Sequence, residues 1–205
     1  MALDHQRVLV LGGSGFVGRH VCEQLIRAGH QVTVPTRRAS HAACVQTLPG
    51  LTVLETRTLD EVSLAGLMAG HDAVINLIAV LHGNEARFEQ VHVELPTRMV
   101  SAMHRAGVKR LIHVSALGAD LHGPSMYQRS KARGEAILQA AGLSLTVLRP
   151  SVIFGTEDKF LNLFADLQRV LPFMPLAGSG TKFQPVWVVD VAAAIVHCLD
   201  RKSVV

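Results

Sequence analysis

Short apolar runs alternate with helical periodicity along most of this chain. Arg7-Val8-Leu9-Val10-Leu11 predicts a buried strand, broken by Gly12-Gly13-Ser14-Gly15. Apolar positions at Phe16, Val17, Val21, Leu25 and Ile26 then trace one face of a helix over residues 16–28, which Gly29 ends. The same reading predicts strands over 31–36, 51–54, 73–78, 110–115 and 143–149. Between them it places a short helix over 63–69, a helical region over 85–106 interrupted near Pro96, and a long helix over 125–141. Strands that are apolar throughout, each followed by a helix, imply a parallel sheet covered on both faces, a doubly wound α/β architecture. After Arg149 the pattern loosens. Four prolines (Pro150, Pro172, Pro175 and Pro185) share this stretch with Phe154, Phe160, Phe164, Phe173, Phe183 and Trp187. Loops and short elements are expected there, either covering the open edge of a site or forming an irregular cap.

Composition narrows the picture. The chain has 205 residues, 49% of them hydrophobic and 18% charged, too apolar and too weakly charged for a disordered segment. No run approaches the roughly 18 apolar residues of a membrane span, and the N-terminus has no basic-then-apolar leader pattern, so a cytoplasmic protein is expected. Net charge is only +4, with one Trp and one Tyr, a poor basis for gripping and stacking nucleic acid. Cys22, Cys44 and Cys198 share no metal-type spacing, and the 11 histidines are scattered, so buried free thiols and no metal site are expected.

The chemistry is concentrated at two places. Gly12, Gly15 and Gly18 join the first strand to the first helix, the setting in which a glycine triplet gains meaning. The first glycine permits the tight turn, the second lets backbone approach a pyrophosphate, and the third lets helix and strand pack closely, so Gly12, Ser14, Gly15, Phe16, Val17 and Gly18 form a candidate dinucleotide cradle. An NAD site usually has an acidic residue roughly 20 residues further on, at the end of the second strand. Here that place reads Thr36-Arg37-Arg38. Two guanidinium groups suit a 2′-phosphate, so Arg37 and Arg38 favour NADP(H), with NAD(H) the other possibility.

The second place is Tyr127-Gln128-Arg129-Ser130-Lys131, where a spacing of four puts the only tyrosine and a lysine on one helix face. An ammonium near a phenol favours the phenolate, which would make Tyr127 an acid/base near neutral pH.

Taken with Leu148-Arg149-Pro150-Ser151-Val152-Ile153-Phe154-Gly155 and Val186-Trp187-Val188-Val189-Asp190-Val191-Ala192, these motifs resemble extended short-chain dehydrogenases/reductases of the NAD-dependent epimerase/dehydratase superfamily. Pro35-Thr36-Arg37, Val91-His92-Val93-Glu94 and His113-Val114-Ser115-Ala116-Leu117-Gly118-Ala119 narrow the likeness to the atypical branch that holds the 39 kDa accessory subunit of respiratory complex I. The resemblance implies a Rossmann fold, with the pyrophosphate at Gly12 to Gly18 and the 2′-phosphate at Arg37. It also implies adenine near Leu59, Ile78, Ala79 and Val80 along the cofactor, and Ser115, Tyr127 and Lys131 about the nicotinamide, with Pro150 to Ile153 packed beside it. Three positions depart from the pattern. Ser115-Ala116 replaces a Ser-Ser pair, His92 stands for the helix asparagine of the proton relay, and Arg57 replaces an acidic residue near adenine.

Two functions follow. One is an oxidoreductase or epimerase-like enzyme acting on a small carbonyl or alcohol, with Tyr127 as acid/base and Lys131 tuning it. The other is a non-catalytic NADPH-holding module with a protein partner in a respiratory assembly, reached without direct membrane insertion and peripheral to the membrane through that partner. Residues 1–149 are expected to form the nucleotide-binding core, and 150–205 a substrate-side continuation of the same domain that stops short of the superfamily's usual length.

Overall fold

The structure, a computed structural model, describes residues 5–158 and 183–200. Six strands form one parallel sheet: β1 (Arg7–Leu11), β2 (Gln31–Thr36), β3 (Leu51–Glu55), β4 (Ala73–Asn76), β5 (Arg110–Val114) and β6 (Ser144–Leu148). Their order across the sheet is β3-β2-β1-β4-β5-β6, the Rossmann arrangement. The order reverses between β1 and β4, so a crevice opens beyond the carboxyl ends of those two strands.

Alternation along each strand explains why the runs are apolar throughout. Val8 and Val10 of β1 point to one core, with Ile75 and Ile112, while Leu9 and Leu11 point to the other, with Val74 and Leu111. The first core is closed by α1 (Phe16–Arg27) and α2 (Ala43–Gln46), which follows a 3-10 turn over Ala39–Ala42. The second is closed by α3 (Glu61–Met68), α5 (Leu95–Ala106) and α6 (Met126–Gln139). Between β4 and α5 lies α4 (Glu85–Glu89), joined to α5 by a π-helical turn over Gln90–Glu94.

The structure corrects several expected boundaries. The fourth strand ends at Asn76, not residue 78, because the Asn76 side chain accepts the Ile78 amide at 3.1 Å and turns the chain out of the sheet. The helical region over 85–106 is interrupted just before Pro96, by a π turn and not by a break in the chain. Proline has no N–H for the His92 carbonyl, and its ring would collide with that carbonyl in an α-helix. The chain widens into the π turn just before it, with the Leu95 amide bonded to Gln90. The loosely patterned final stretch holds a 13-residue helix, α7 (Val188–Asp200), which packs on α1. Ahead of it β7 (Ile153–Phe154) and β8 (Val186–Trp187) pair in parallel. Phe160, Phe164, Phe173 and the terminal Ser203-Val204-Val205 lie outside the described residues. Among the described residues, no helix is long and apolar enough to cross a membrane.

Candidate functional site

The glycine turn sits at the point where the strand order reverses. Gly12 has φ +85°, and a Cβ there would lie 3.2 Å from the Ile78 amide nitrogen and the Leu77 carbonyl carbon. At Gly18 a Cβ would be driven into the Gly12 carbonyl oxygen at 2.2 Å, so only glycine lets α1 approach its own turn this closely. Gly15 is different: it is exposed, and a Cβ would meet only the Gly12 carbonyl, at 3.2 Å. It is the N-cap of α1, with no side-chain cap and no acidic residue in the first turn. The first amides of a 12-residue helix, with its positive dipole end, are therefore left for an anion. Ser14, Phe16 and Val17 are half-buried along the same turn.

The remaining sequence-predicted residues follow the same edge of the sheet. Arg37 and Arg38 are exposed directly after β2, in a loop held by Thr36 Oγ1 donating to the Arg38 carbonyl (3.0 Å) and by the Ala39 amide donating to Glu55 (3.2 Å). Leu59 lies beyond β3, against the second core, with its carbonyl accepting from Arg98 at 3.1 Å. Ile78, Ala79 and Val80 leave the end of β4, and Ala79 is exposed. Pro150 follows β6 and accepts from the Leu117 amide at 2.8 Å, which ties the loops after β5 and β6 together. Ile153, in β7, packs against the first core.

Ser115, just past β5, is 5% exposed, and its hydroxyl has no hydrogen-bond partner among the described residues. Such a group is costly to bury and is suited to a polar ligand atom. Ala116 beside it is buried.

Ser125 caps α6 in a reciprocal box with Gln128, and this fixes Tyr127 and Lys131 on the first turns. Lys131 is buried and donates to the Val114 carbonyl at 3.0 Å. Burial pulls its ammonium down to about 8, although Glu135, one turn on, acts against that. Tyr127 packs edge-on against His92 (centroids 5.5 Å apart) and Phe88 (6.2 Å). Burial raises its phenol pKa, so in this state the phenol stays protonated at neutral pH.

Sequence reasoning missed a buried polar layer beneath these residues. His92 accepts the Val80 amide at Nε2 (3.2 Å), and its Nδ1 meets Ser130 Oγ at 2.9 Å. Asn76 Nδ2 donates to His113 Nδ1 at 3.1 Å. Glu135, 1% exposed, takes Arg149 in a two-pronged ion pair that anchors the chain ahead of Pro150. Polar residues inside apolar strands, Asn76 and His113, were the available signal. Arg57 is exposed, and no group of three metal-binding side chains is found among the described residues.

Both histidines are buried neutral. Desolvation first, then Lys131, lowers His92 to about 4, and the same causes, joined by His92, lower His113 to about 3. An unfolded histidine takes its proton near pH 6.5. The stability they contribute is therefore full above about pH 6.5 and falls as the pH drops towards 4. Urea titrations at pH 7, 6 and 5 should show this decline, and in His113→Gln a shallower one.

Three comparisons place this geometry among known proteins. A family model described as NAD(P)H-binding matches residues 12–202. The chain is 38% identical over 197 residues to the mitochondrial NADH dehydrogenase [ubiquinone] 1 alpha subcomplex subunit 9 of Arabidopsis thaliana, covering 93% of this chain and 49% of that protein. Against the protein of the same name from Mus musculus it is 39% identical, with 92% and 52% covered. The chain thus spans about half the length of these relatives. The crystal structure of DesIV, a dTDP-glucose 4,6-dehydratase from Streptomyces venezuelae with NAD bound, shares the fold with a TM-score of 0.83 at 24% identity, over 95% of this chain and 72% of that one. The resemblance read from the motifs agrees with all three.

Proposed function

The chain belongs to the NAD(P)H-binding family, and from that premise we propose that it holds NADP(H) as a fixed element of a respiratory assembly. The observation that carries this reading is the uncapped start of α1 at the sheet's reversal point. Gly12 to Gly18 would take the pyrophosphate on the helix amides, and Arg37 with Arg38 would pair with the 2′-phosphate, which NAD lacks. The residues fit the group, since Gly15 leaves the approach open and Ser115 offers an unpaired hydroxyl further along the same edge. The assembly role is supported by the names of the relatives, which are NADH dehydrogenase subunits. Protein purified without added nucleotide, then denatured and analysed by mass and absorbance, is expected to release NADP(H); protein that neither carries nor binds any nicotinamide nucleotide overturns the reading. Arg37→Ala should weaken NADPH binding by on the order of tenfold to a hundredfold and leave NADH nearly unchanged. Equal losses in two fluorescence titrations would remove the 2′-phosphate assignment.

A second reading, an oxidoreductase acting on a small carbonyl or alcohol, is favoured by the free Ser115 hydroxyl and by Tyr127 and Lys131 on one helix face. The nucleotide would supply or accept the hydride. Ser115 would hold the substrate oxygen and Tyr127 would pass its proton, with Lys131 giving one N–H to the Val114 carbonyl and keeping two for the nucleotide. Tyr127→Phe should then abolish turnover while NADPH affinity stays within about twofold, because one hydroxyl far from the phosphates is lost. Undiminished turnover would exclude Tyr127 as the acid/base.

A further inference from the structure

His92 sits in the π turn, 3% exposed, between two segments that carry site residues. On one side is the loop leaving β4, represented by Val80, and on the other is α6, represented by Ser130. The Val80 amide can only donate, so Nε2 must be the bare nitrogen and the ring proton must sit on Nδ1. Nδ1–H then donates to Ser130 Oγ, and the Ser130 hydroxyl donates to the Tyr127 carbonyl at 3.0 Å. One neutral tautomer therefore joins a loop amide to the backbone of Tyr127 through three consecutive hydrogen bonds, across sequence separations of 12 and 38 residues.

We propose that His92 is a positioning residue that clips the loop after β4 to the helix bearing Tyr127 and Lys131, and so sets the width of the nucleotide crevice between them. The clip is built to one setting. The close approach of α6 depends on Gly134, whose missing Cβ leaves room for the His92 carbonyl. The Phe88 ring, tilted at 34°, and the Tyr127 ring, edge-on at 80°, pack against the imidazole. A doubly protonated ring has no lone pair for Val80, so the clip opens only on protonation. The charged and titratable groups around His92 are Lys131 and Tyr127 on α6, His113 on β5, and the Glu89–Arg133 ion pair between α4 and α6. Burial opposes protonation most, and the Lys131 charge opposes it further, which keeps the clip closed down to about pH 4.

The width of the crevice matters only if the nucleotide reading above holds, but the clip itself can be measured without nucleotide. Amide exchange of the full chain, followed at Val80 by NMR, is the direct readout. His92→Phe keeps the ring packing and removes both nitrogens, and should speed Val80 exchange by about tenfold, the equivalent of one net hydrogen bond. His92→Gln returns an acceptor at the reach of Nε2 and should restore most of the protection. Unlike wild type it should then show no extra loss of protection between pH 5 and 4. Should His92→Phe fail to fold, Ser130→Ala, a change that suits a helix, should still weaken Val80 protection by freeing the ring to take its other tautomer. Val80 exchange unaltered in both His92→Phe and Ser130→Ala overturns the clip, whatever NADPH does. With wild type binding NADPH, His92→Phe should lose affinity by about tenfold and His92→Gln should recover most of it. Unchanged affinity with faster Val80 exchange would overturn the crevice-setting role, and wild type that binds no nucleotide would instead count against the functional reading.

Discussion

A Gly15→Asp variant is expected to lose its nucleotide while keeping, or slightly gaining, thermal stability. Gly15 has φ −83° and ψ 178°, an ordinary extended N-cap geometry that any residue adopts. Its Cβ would press only on the Gly12 carbonyl, a contact that a shift of a few tenths of an ångström relieves. Aspartate is among the preferred N-cap residues and improves on glycine by a few tenths of a kcal/mol, with a further contribution of about 0.5 kcal/mol from the helix dipole. The same carboxylate would occupy the amides meant for the pyrophosphate and repel its charge. The predicted loss of NADPH affinity is on the order of a hundredfold or more. Thermal melts and fluorescence titration of one preparation give both numbers. Retained affinity would show that phosphates bind elsewhere, and a large drop in Tm would show that the cap is not free.

Gly134→Ala should be strongly destabilising although it adds a single methyl group. Glycine to alanine inside a helix normally stabilises by about 1 kcal/mol. Gly66 in α3 is such a case, since a Cβ there meets nothing within 4 Å, and Gly66→Ala should raise the Tm. At Gly134 the new carbon would lie 2.0 Å from the His92 carbonyl oxygen. That oxygen is backbone, fixed by the π turn and by Pro96, so α6 must move as a body. Overpacking of this kind costs about 3 kcal/mol, which outweighs the propensity gain. The same substitution at two helical glycines is therefore predicted to have opposite signs, and chemical denaturation of the pair decides it. Similar stabilities would mean that α6 yields easily, which would also weaken the case for a fixed crevice.

Much of this fold was legible in the sequence because its strands are buried on both faces and so read as unbroken apolar runs. Leu9 and Val10 announce a doubly covered strand whichever helix covers them. The glycine turn was equally legible, since Gly12, Gly15 and Gly18 follow a strand and open a helix. What the residues did not announce depends on partners distant in the chain. Helix α7 is apolar on nearly every side, so no stripe marks it out among the prolines and phenylalanines before it. The π turn arises from a clash between Pro96 and a carbonyl four residues back, and the space that receives that carbonyl is supplied from residue 134. Ser115 was legible as a candidate, but its lack of a partner follows from what surrounds it. Tyr127 and Lys131 were legible on one helix face, but the Val114 carbonyl that takes one Lys131 proton and the burial that raises the phenol pKa come from the surrounding fold.

Helix α1, which opens at the cradle, turns Val21 and Leu25 towards Val191 and Ile195 of α7, and Gln24 donates to the Val189 carbonyl at 2.9 Å. A helix is thus covered by another that lies far downstream in the chain. Until residues 188–200 emerge, the apolar side of α1 has no lid. A nascent chain can pair β1 with β2 and β4, yet it carries an open, sticky groove until α7 is made. The anion-facing helix is made before the helix that covers it, and a chaperone that shields α1 during translation would guard the nucleotide site before that site exists.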